Sequence, residues 1–250
     1  MRPICRVVVF GLAVLRVVPA MAQEAVAAVY PSGPTVPANL LGISVQFAEP
    51  PRGPGRLDLS LAGVALAGAR SAFVDQDLWT ADGRTLTLLF DPARLKTGVG
   101  ANATLGRVLH AGERITLTLR GVPTKTWDVT DAQAGQLDPR RWTITRPDRA
   151  EAATPLVIRF DHPVDALDRG LIAVVSPEGD AVPGEAVLLD GERAWEFRPA
   201  APWRAGVFRI AISPDLEDSS GNTVSEPFEV DRQTRQTPAA IPQTPTFRIA

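Results

Sequence analysis

The sequence offers few side chains that could carry out nucleophilic or acid–base chemistry. Nucleophilic catalysis needs a base beside the nucleophile, and the chain has only two histidines, His110 and His162. His110 comes just before a glycine turn, and His162 lies between Asp161 and Pro163. Both are therefore predicted to lie in solvated turns at strand ends, which favours a protein that is not an enzyme.

Paired carboxylates could serve glycoside hydrolysis or bind calcium. Asp75 and Asp77 would share one face of a strand. Four residues with oxygen-bearing side chains cluster near one turn: Asp215, Glu217, Asp218 and Asn222. Their spacing is not that of an EF-hand loop, and the chain lacks the large cleft-forming domain of most glycosidases. Solvated turn acids are predicted, with calcium binding as an alternative and hydrolysis as the least favoured function.

A glycine-rich stretch contains Gly98, Gly100 and Gly106, with Asn102 between them. It does not match the phosphate-binding pattern G-x-x-x-x-G-K-S/T, and no βαβ pattern surrounds it. A flexible loop is predicted instead, and such loops often carry binding residues. Gly98, Gly100 and Asn102 are therefore weak candidates for contacts with a partner.

Exposed tryptophans could stack on sugars, and the chain has five: Trp79, Trp127, Trp142, Trp195 and Trp203. Trp195 alternates with apolar neighbours and is predicted in the core. Trp203 is expected to cap a sandwich, and Trp142 to pack near a domain junction. Trp79 and Trp127 are least determined by their surroundings, so they are the candidates for sugar binding.

Composition excludes several classes of protein. The chain has 250 residues, of which 45% are hydrophobic and 22% charged, values typical of folded soluble domains rather than disordered chains. A single cysteine excludes an internal disulfide and a cysteine-based zinc site. The net charge of −2 argues against a nucleic-acid partner, because such proteins need a basic face.

Residues 1–22 are predicted to be a secretory signal peptide. Arg2 and Arg6 form a positive start, an apolar run follows, and Ala20-Met21-Ala22 supplies small residues before the cleavage site. Cleavage would remove three arginines and no acid, changing the net charge from −2 to −5. The apolar run is too short for a membrane span. The chain is therefore expected to be exported, to the periplasm or the cell surface, with no membrane span after cleavage.

Alternation of apolar and polar residues predicts half-buried antiparallel strands. It is clearest in four segments: 57–61, 86–90, 115–119 and 208–212. With 23 prolines and 20 glycines, long helices have little room. One short helix is predicted after Asp91, which can cap it, and one turn of helix over 165–169. The pattern indicates an all-β protein built from β-sandwiches.

A weak internal repeat divides the chain into two similar parts. Phe47 corresponds to Phe160, Pro92 to Pro199 and Gly112 to Gly206, in the same order. Domains are predicted over 29–145, with an extra loop at 95–108, and over 146–231. The remainder, 232–250, is a Pro-rich tail whose alternating Phe247 and Ile249 could dock onto a sheet.

Several short motifs resemble bacterial immunoglobulin-like (Ig-like) domains of the S-layer-protein type. The similar segments are 37–50, 155–163 and the turn 216–222, and the segment 78–92 is similar to a group of exported two-domain bacterial proteins. The resemblance implies tandem Ig-like sandwiches and a spacer or adhesive role, with no shared active site. Segment 34–50 is also similar to periplasmic copper-resistance proteins, but the mature part has no histidine or methionine cluster to bind copper.

The sequence thus predicts two tandem Ig-like β-sandwiches after a signal peptide. The favoured function is a non-enzymatic structural or interaction module of the bacterial cell envelope, without cofactor or metal. Its partner would be another envelope protein or a polymer. The alternative is a carbohydrate- or calcium-binding module.

Overall fold

The fold is that of a computed structural model, which describes residues 25–51, 59–63, 72–96, 100–150, 154–228 and 245–250. Within these ranges the first strands and helices are β1 (Val26–Tyr30), β2 (Thr35–Pro37), β3 (Gly42–Phe47), β4 (Leu59–Ala62), β5 (Leu78–Trp79), β6 (Thr85–Leu89), α1 (Pro92–Leu95), α2 (Gly100–Leu105), β7 (Arg114–Leu119) and β8 (Val122–Thr130). The later strands are β9 (Thr143–Thr145), β10 (Leu156–Arg159), β11 (Ile172–Val175), β12 (Gly184–Leu189), β13 (Ala194–Pro199), β14 (Gly206–Ile212) and β15 (Thr246–Ile249). Two 3₁₀ helices cover Pro139–Arg141 and Ala166–Leu171.

A first hydrophobic core lies between two four-stranded sheets, with strand orders β1-β3-β6-β5 and β2-β8-β7-β4. The predicted alternation explains how they pack. In β7, for example, Ile115, Leu117 and Leu119 are buried and the residues between them are not. Because successive side chains on a strand point to opposite faces, one face of β7 covers the core and the other meets solvent.

A second core lies between the sheets β12-β13-β10-β9 and β11-β14-β15. Aromatic rings dominate it. Trp195 and Phe197 are stacked with ring centroids 5.6 Å apart, and Trp203 meets Phe208 edge to face at 5.3 Å. Both tryptophan N–H groups donate to backbone oxygens, so these large side chains are buried without an unsatisfied donor. The core position predicted for Trp195 is confirmed, and Trp203, which was expected to cap a sandwich, is buried in the same core.

The strand β15 completes the second core. It pairs antiparallel with β14, and its two apolar residues, Phe247 and Ile249, are 3% and 1% exposed. The ring of Phe247 stacks on Phe208 with centroids 5.5 Å apart. The alternation of Phe247 and Ile249 therefore does dock the end of the tail onto a sheet, as that pattern suggested.

The short helices and turns also follow from the local sequence. The Asp91 carboxylate accepts a hydrogen bond from the N–H of Ala93, which caps α1 at its N-terminus. Asp165 does the same for the N–H of Leu167 at the start of the second 3₁₀ helix. The strands and sheets confirm the predicted all-β class. The proposed signal peptide, residues 1–22, lies outside the described residues, within which no helix is long and apolar enough to cross a membrane.

The strands on either side of residue 145, the predicted domain boundary, pair with each other. β9 pairs with β10, and Leu137 and Trp142 are buried in the second core. The Pro-containing stretch 146–149 thus lies between two paired strands of one sheet. The domain boundaries themselves stay a prediction. Below, the first half means the described residues up to 133, and the second half means those from 136 onward.

The segments of the internal repeat occupy corresponding strands. β3 and β6 are hydrogen-bonded neighbours in the first half, and their counterparts β10 and β13 are neighbours in the second. The third pair of corresponding strands is β7 and β14. β7 starts shortly after Gly112, and β14 begins at Gly206.

The two halves contact each other through backbone as well as side chains. The N–H of Ser32 donates to the carboxylate of Glu192 at 2.9 Å, and Glu192 is only 3% exposed. Nearby, Gly33 and Gly191 approach so closely that a Cβ atom on Gly191 would lie 2.8 Å from the Gly33 Cα. Gly191 also has a φ of +65°, a conformation that glycine adopts without strain. The contact therefore requires glycine at position 191.

Candidate functional site

The turn at residues 218–222 is held by one buried carboxyl group. Asp218 is 1% exposed, and its Oδ1 accepts hydrogen bonds from the N–H groups of Ser220 at 2.8 Å and Asn222 at 3.0 Å. The side-chain amide of Asn222 donates to the other carboxyl oxygen, Asp218 Oδ2, at 2.9 Å. Gly221 supplies the positive φ, +78°, that the hairpin requires. These oxygens are occupied by N–H donors, which supports a structural role for the turn rather than calcium ligation.

The same turn connects the two halves. The side-chain amide of Gln133, in the first half, donates to Asp218 Oδ2. Asn39 accepts hydrogen bonds from the Ser220 hydroxyl at 3.1 Å and from the backbone N–H of Gln133 at 2.8 Å. The N–H of Leu41 donates to the carbonyl of Ser219 at 2.9 Å. A polar network therefore fixes the turn against the first half.

Beside this network lies a groove of about 320 Å³ between the two halves, here called the inter-core groove. The residues that line it are Leu41, Gly42, Ser44, Leu78, Trp79, Thr80, Thr87 and Leu89 from the first half and Asp165, Leu167, Asp168 and Glu217 from the second. The first-half wall thus combines three leucines and a tryptophan with three hydroxyl groups, and the other wall carries three carboxyl groups. No basic side chain of the described residues lines the groove.

Backbone pairing brings the three carboxyl groups together. The N–H of Asp165 donates to the carbonyl of Glu217 at 2.9 Å, and the N–H of Glu217 donates to Asp168 Oδ2 at 3.0 Å. Val164 forms an isolated bridge with Asp218. The start of the 3₁₀ helix is consequently held against the chain that leads into the 218–222 turn.

Burial and mutual repulsion make these carboxyl groups weak acids. Burial raises the pKa of Asp168 to about 6, with further contributions from the charges of Asp165 and Asp215. Burial raises the pKa of Glu217 to about 7, and the charges of Asp168, Asp165 and Asp218 add to the effect. Burial also raises the pKa of Asp165, which the N–H of Leu167 partly offsets. The second-half wall therefore gains negative charge as the pH rises through 6 and 7.

These shifts predict a stability that falls as the pH rises. Between about pH 4, where the carboxyl groups of the unfolded chain titrate, and pH 7, the folded state binds more protons than the unfolded state. The double variant Asp168→Asn and Glu217→Gln removes the part of this difference that Asp168 and Glu217 contribute. Between pH 5 and pH 8 we expect the wild-type Tm to fall by about 3–6 °C more than that of the variant, after allowing for partial solvent screening.

Thermal unfolding followed by circular dichroism at both pH values measures this effect. The matched control is Asp131→Asn with Glu226→Gln, which removes two exposed carboxylates that do not line the groove. The control should keep the wild-type pH dependence. If the control and the groove variant changed the pH dependence equally, Asp168 and Glu217 would not be its source.

The structure separates the two tryptophans that were candidates for sugar binding. Trp79 is 38% exposed on the first-half wall of the inter-core groove, with its ring 6.0 Å from that of Phe47. Trp127 is fully buried in the first core, where its N–H donates to the carbonyl of Pro31 at 2.8 Å. Because no ring face of Trp127 is accessible, this residue cannot stack on a sugar.

The glycine-rich stretch contains a helix where a flexible loop was expected. α2 includes Gly100 and Asn102, while Gly98 lies outside the described residues. The buried guanidinium of Arg94 donates to the carbonyls of Gly106 and Arg107, and the Asn102 amide donates back to the Arg94 carbonyl. The glycine-rich pattern did not predict this helix, because a buried arginine can satisfy backbone carbonyls that in a loop would need water. Asn102 therefore stabilises the local fold.

The histidines and the first acid pair are placed in turns and loops. His110 Nδ1 lies 3.3 Å from the Glu113 carboxylate, and His162 Nε2 lies 3.6 Å from that of Asp161. Asp75 and Asp77 precede β5 instead of lying within a strand. Sequence analysis did not single out Asp165 and Asp168. Their three-residue spacing beside a predicted single helical turn was the only available signal.

The described residues thus form an all-β protein. It has two hydrophobic cores, each between two sheets, and a carboxyl-rich groove between its two halves. No protein-family model matches the chain, and no curated protein is significantly similar to it. Similar solved structures include domains 4–9 of the surface layer protein SbsC, with 11% identity, coverage of 76% of this chain and 30% of that chain, and a TM-score of 0.25.

A mouse coronavirus receptor-binding domain in complex with its murine receptor is also similar, with 11% identity over 72% of this chain and 88% of that chain, at a TM-score of 0.19. Murine CEACAM1b has the same identity and coverage at a TM-score of 0.20. Because these TM-scores are below 0.5, we base the fold and the proposed function on the chain's own sheets and side chains.

Proposed function

We propose that the protein is a non-enzymatic, exported interaction module of the bacterial cell envelope that binds another protein through the edge strand β12. The observation that carries the proposal is an apolar stripe on this edge. Among the strands that the structure describes, β12 pairs only with β13, and Val187 and Leu189 on its outer face are 45% and 41% exposed. The inward-facing Ala186 and Leu188 pack against the second core.

An edge strand of this kind suits the addition of a partner's strand. Its outer backbone N–H and C=O groups can pair with another chain, and the exposed Val187 and Leu189 can bury apolar area at the same time. Soluble proteins usually protect such edges with charge or proline. On β12 the exposed Glu185 lies on the same face as Val187 and Leu189, and Glu196 lies opposite Val187 on β13, so charges flank the stripe without covering it.

We also propose that the chain consists of two tandem Ig-like domains, with the junction between residues 133 and 137. Two separate cores and the matching strand pairs of the repeat support this organisation. The polar network of Asp218, Gln133 and Asn39 would then hold the domains in a fixed relation. Such a pair of domains would hold β12 in a fixed position relative to the first domain.

Carbohydrate binding is the second candidate, and Trp79 is the observation that favours it. An exposed tryptophan ring in a groove with carboxyl groups could stack on a sugar while the carboxyl oxygens accept its hydroxyl hydrogens. Calcium binding has less support, because N–H donors occupy the oxygens of Asp218.

The proposal predicts that β12 is required to retain a protein partner. Purified protein, immobilised, would be incubated with the envelope fraction of the source cells, and retained molecules identified by mass spectrometry. We expect wild type to retain one dominant protein and the variant Val187→Lys with Leu189→Lys to lose it at least about tenfold, because lysine charges disfavour a buried edge contact.

The matched control is Val122→Lys with Leu105→Lys, which adds two lysines at exposed apolar positions of the first half. This control should retain the partner at the wild-type level. Equal retention by both variants would exclude β12 as the binding edge. Retention of glycan alone, or retention that requires calcium, would instead support the alternative function.

A further inference from the structure

We propose that the inter-core groove binds a small organic cation, with its apolar body against Trp79 and its protonated amine or guanidinium group among Asp165, Asp168 and Glu217. This site is distinct from the β12 edge, and the inference does not depend on the function proposed above.

The size and walls of the groove suit a small molecule. Its volume of about 320 Å³ falls at the lower end of the range for small-ligand sites. Leu41, Leu78 and Leu89 provide apolar surface beside the partly exposed ring of Trp79. Such sites combine an apolar lining with a few convergent polar groups, which here are the three carboxyl groups of the opposite wall.

Charge complementarity indicates a cation rather than a neutral sugar. The charges that raise the pKa of Asp168 come from Asp165 and Asp215, those that raise the pKa of Glu217 come from Asp168, Asp165 and Asp218, and all are negative. No basic side chain of the described lining residues offsets them. A bound cation would relieve this repulsion, and a tryptophan face attracts a cation that lies over it. A neutral sugar could accept and donate hydrogen bonds here but would leave the repulsion unchanged.

The first-half wall distinguishes an organic cation from a metal ion. Leucine side chains and a tryptophan ring provide no ligand atoms for calcium, which takes six to eight oxygens. The hydroxyl groups in the lining already have partners, because those of Ser44 and Thr87 are hydrogen-bonded to each other and that of Thr80 donates to Asp82. Within the described residues, no group of three or more acidic, histidine or cysteine side chains is arranged to hold a metal ion. The wall instead matches a ligand that carries hydrocarbon next to its charge, such as an arylalkylamine.

The titration of the groove gives the inference a pH signature. The pKa of Asp168 is raised to about 6 and that of Glu217 to about 7, so both carboxyl groups are mostly ionised at pH 8 and mostly protonated at pH 5. The neighbouring acids are Asp165 and Asp218, whose pKa burial also raises, and Asp215. Affinity for a cation should therefore be high at pH 8 and low at pH 5.

The test uses phenethylammonium as the probe and phenethyl alcohol as its neutral isostere. Binding to the purified protein at pH 8 would be followed by calorimetry and by the ¹H–¹⁵N resonances of the five tryptophan indoles. We expect the amine to bind at least about tenfold more tightly than the alcohol and to shift the Trp79 indole resonance most. Lowering the pH to 5 should weaken amine binding by a similar factor.

Variants assign the binding to the groove. Asp168→Asn with Glu217→Gln should reduce amine affinity about tenfold and remove its pH dependence, and Trp79→Ala should reduce it about fivefold. The control Asp131→Asn with Glu226→Gln removes the same charge elsewhere and should bind like wild type. Equal binding of amine and alcohol, or equal loss in the control, would overturn the proposal.

Three further ligands separate the alternatives. A blocked Gly-Lys-Gly peptide presents the same charge on a polypeptide, and we expect it to bind more weakly than the free amine because its backbone must stay outside the groove. Tighter binding of the peptide would overturn a free cation as the occupant. Binding of glucose or of calcium ion with greater affinity than phenethylammonium would overturn the organic cation itself.

Discussion

Replacing Phe247 with alanine is expected to destabilise the protein by about 3–5 kcal/mol, the usual cost of removing a buried phenylalanine ring. Phe247 is 3% exposed, stacks on Phe208 and meets Trp203 edge to face at 5.8 Å. The change leaves a cavity beside the aromatic side chains of Phe208 and Trp203 in the second core. Because only four residues of β15 pair with β14, the variant should also weaken this pairing.

Urea unfolding monitored by tryptophan fluorescence measures this loss, since Trp203 lies in contact with the removed ring. Arg248→Ala is the matched control, because Arg248 lies in the same strand with its side chain exposed. The control should remain within about 0.5 kcal/mol of wild type. A Phe247→Ala variant as stable as the control would show that β15 contributes little to the second core in solution.

Replacing Asp218 with alanine is expected to cost a similar amount, about 3–5 kcal/mol, for a different reason. The change leaves four donors without their acceptor: the N–H groups of Ser220 and Asn222 and the side-chain amides of Asn222 and Gln133. These groups are held in a buried turn, where an unsatisfied donor costs the full desolvation penalty. The loss should extend to the first half through Gln133.

Hydrogen exchange provides the measurement that is specific to this network. In Asp218→Ala we expect faster exchange at the N–H groups of Ser220 and Asn222, and also at that of Gln133, which donates to Asn39. Asp215→Ala is the control, because Asp215 precedes the same turn but is exposed. Acceleration confined to 218–222 would contradict a network that joins the two halves.

Sequence patterns predicted the strands correctly where the residues that form the pattern are close together in the sequence. Ile115, Leu117 and Leu119 alternate with threonines and polar residues, so β7 and its buried face follow from period-two alternation alone. The Asp91 cap and the glycine turn at Gly221 likewise depend on residues within a few positions of each other. In each case the physical cause lies within one short segment.

The inter-core groove could not be predicted in this way, because its walls come from segments far apart in sequence. Trp79 and Glu217 share the groove only after both halves have folded. Asp218 was expected in solvent as a turn acid, and it is buried because Gln133, 85 positions away, supplies one of its donors. The burial of Trp127 similarly depends on Pro31, 96 positions away. Such contacts follow from tertiary structure and leave no local pattern.

The position of β15 has a consequence for the order in which the protein can form during synthesis. All described strands of the first core lie before residue 131, so that core has its strands once this part of the chain has emerged from the ribosome. The second core lacks the partner of β14 until residues 246–249 are made. Until then, the surface of Phe208 and Trp203 that Phe247 covers stays without its native neighbour. The nascent chain thus carries an N-terminal sandwich that has all its described strands ahead of one that still lacks β15.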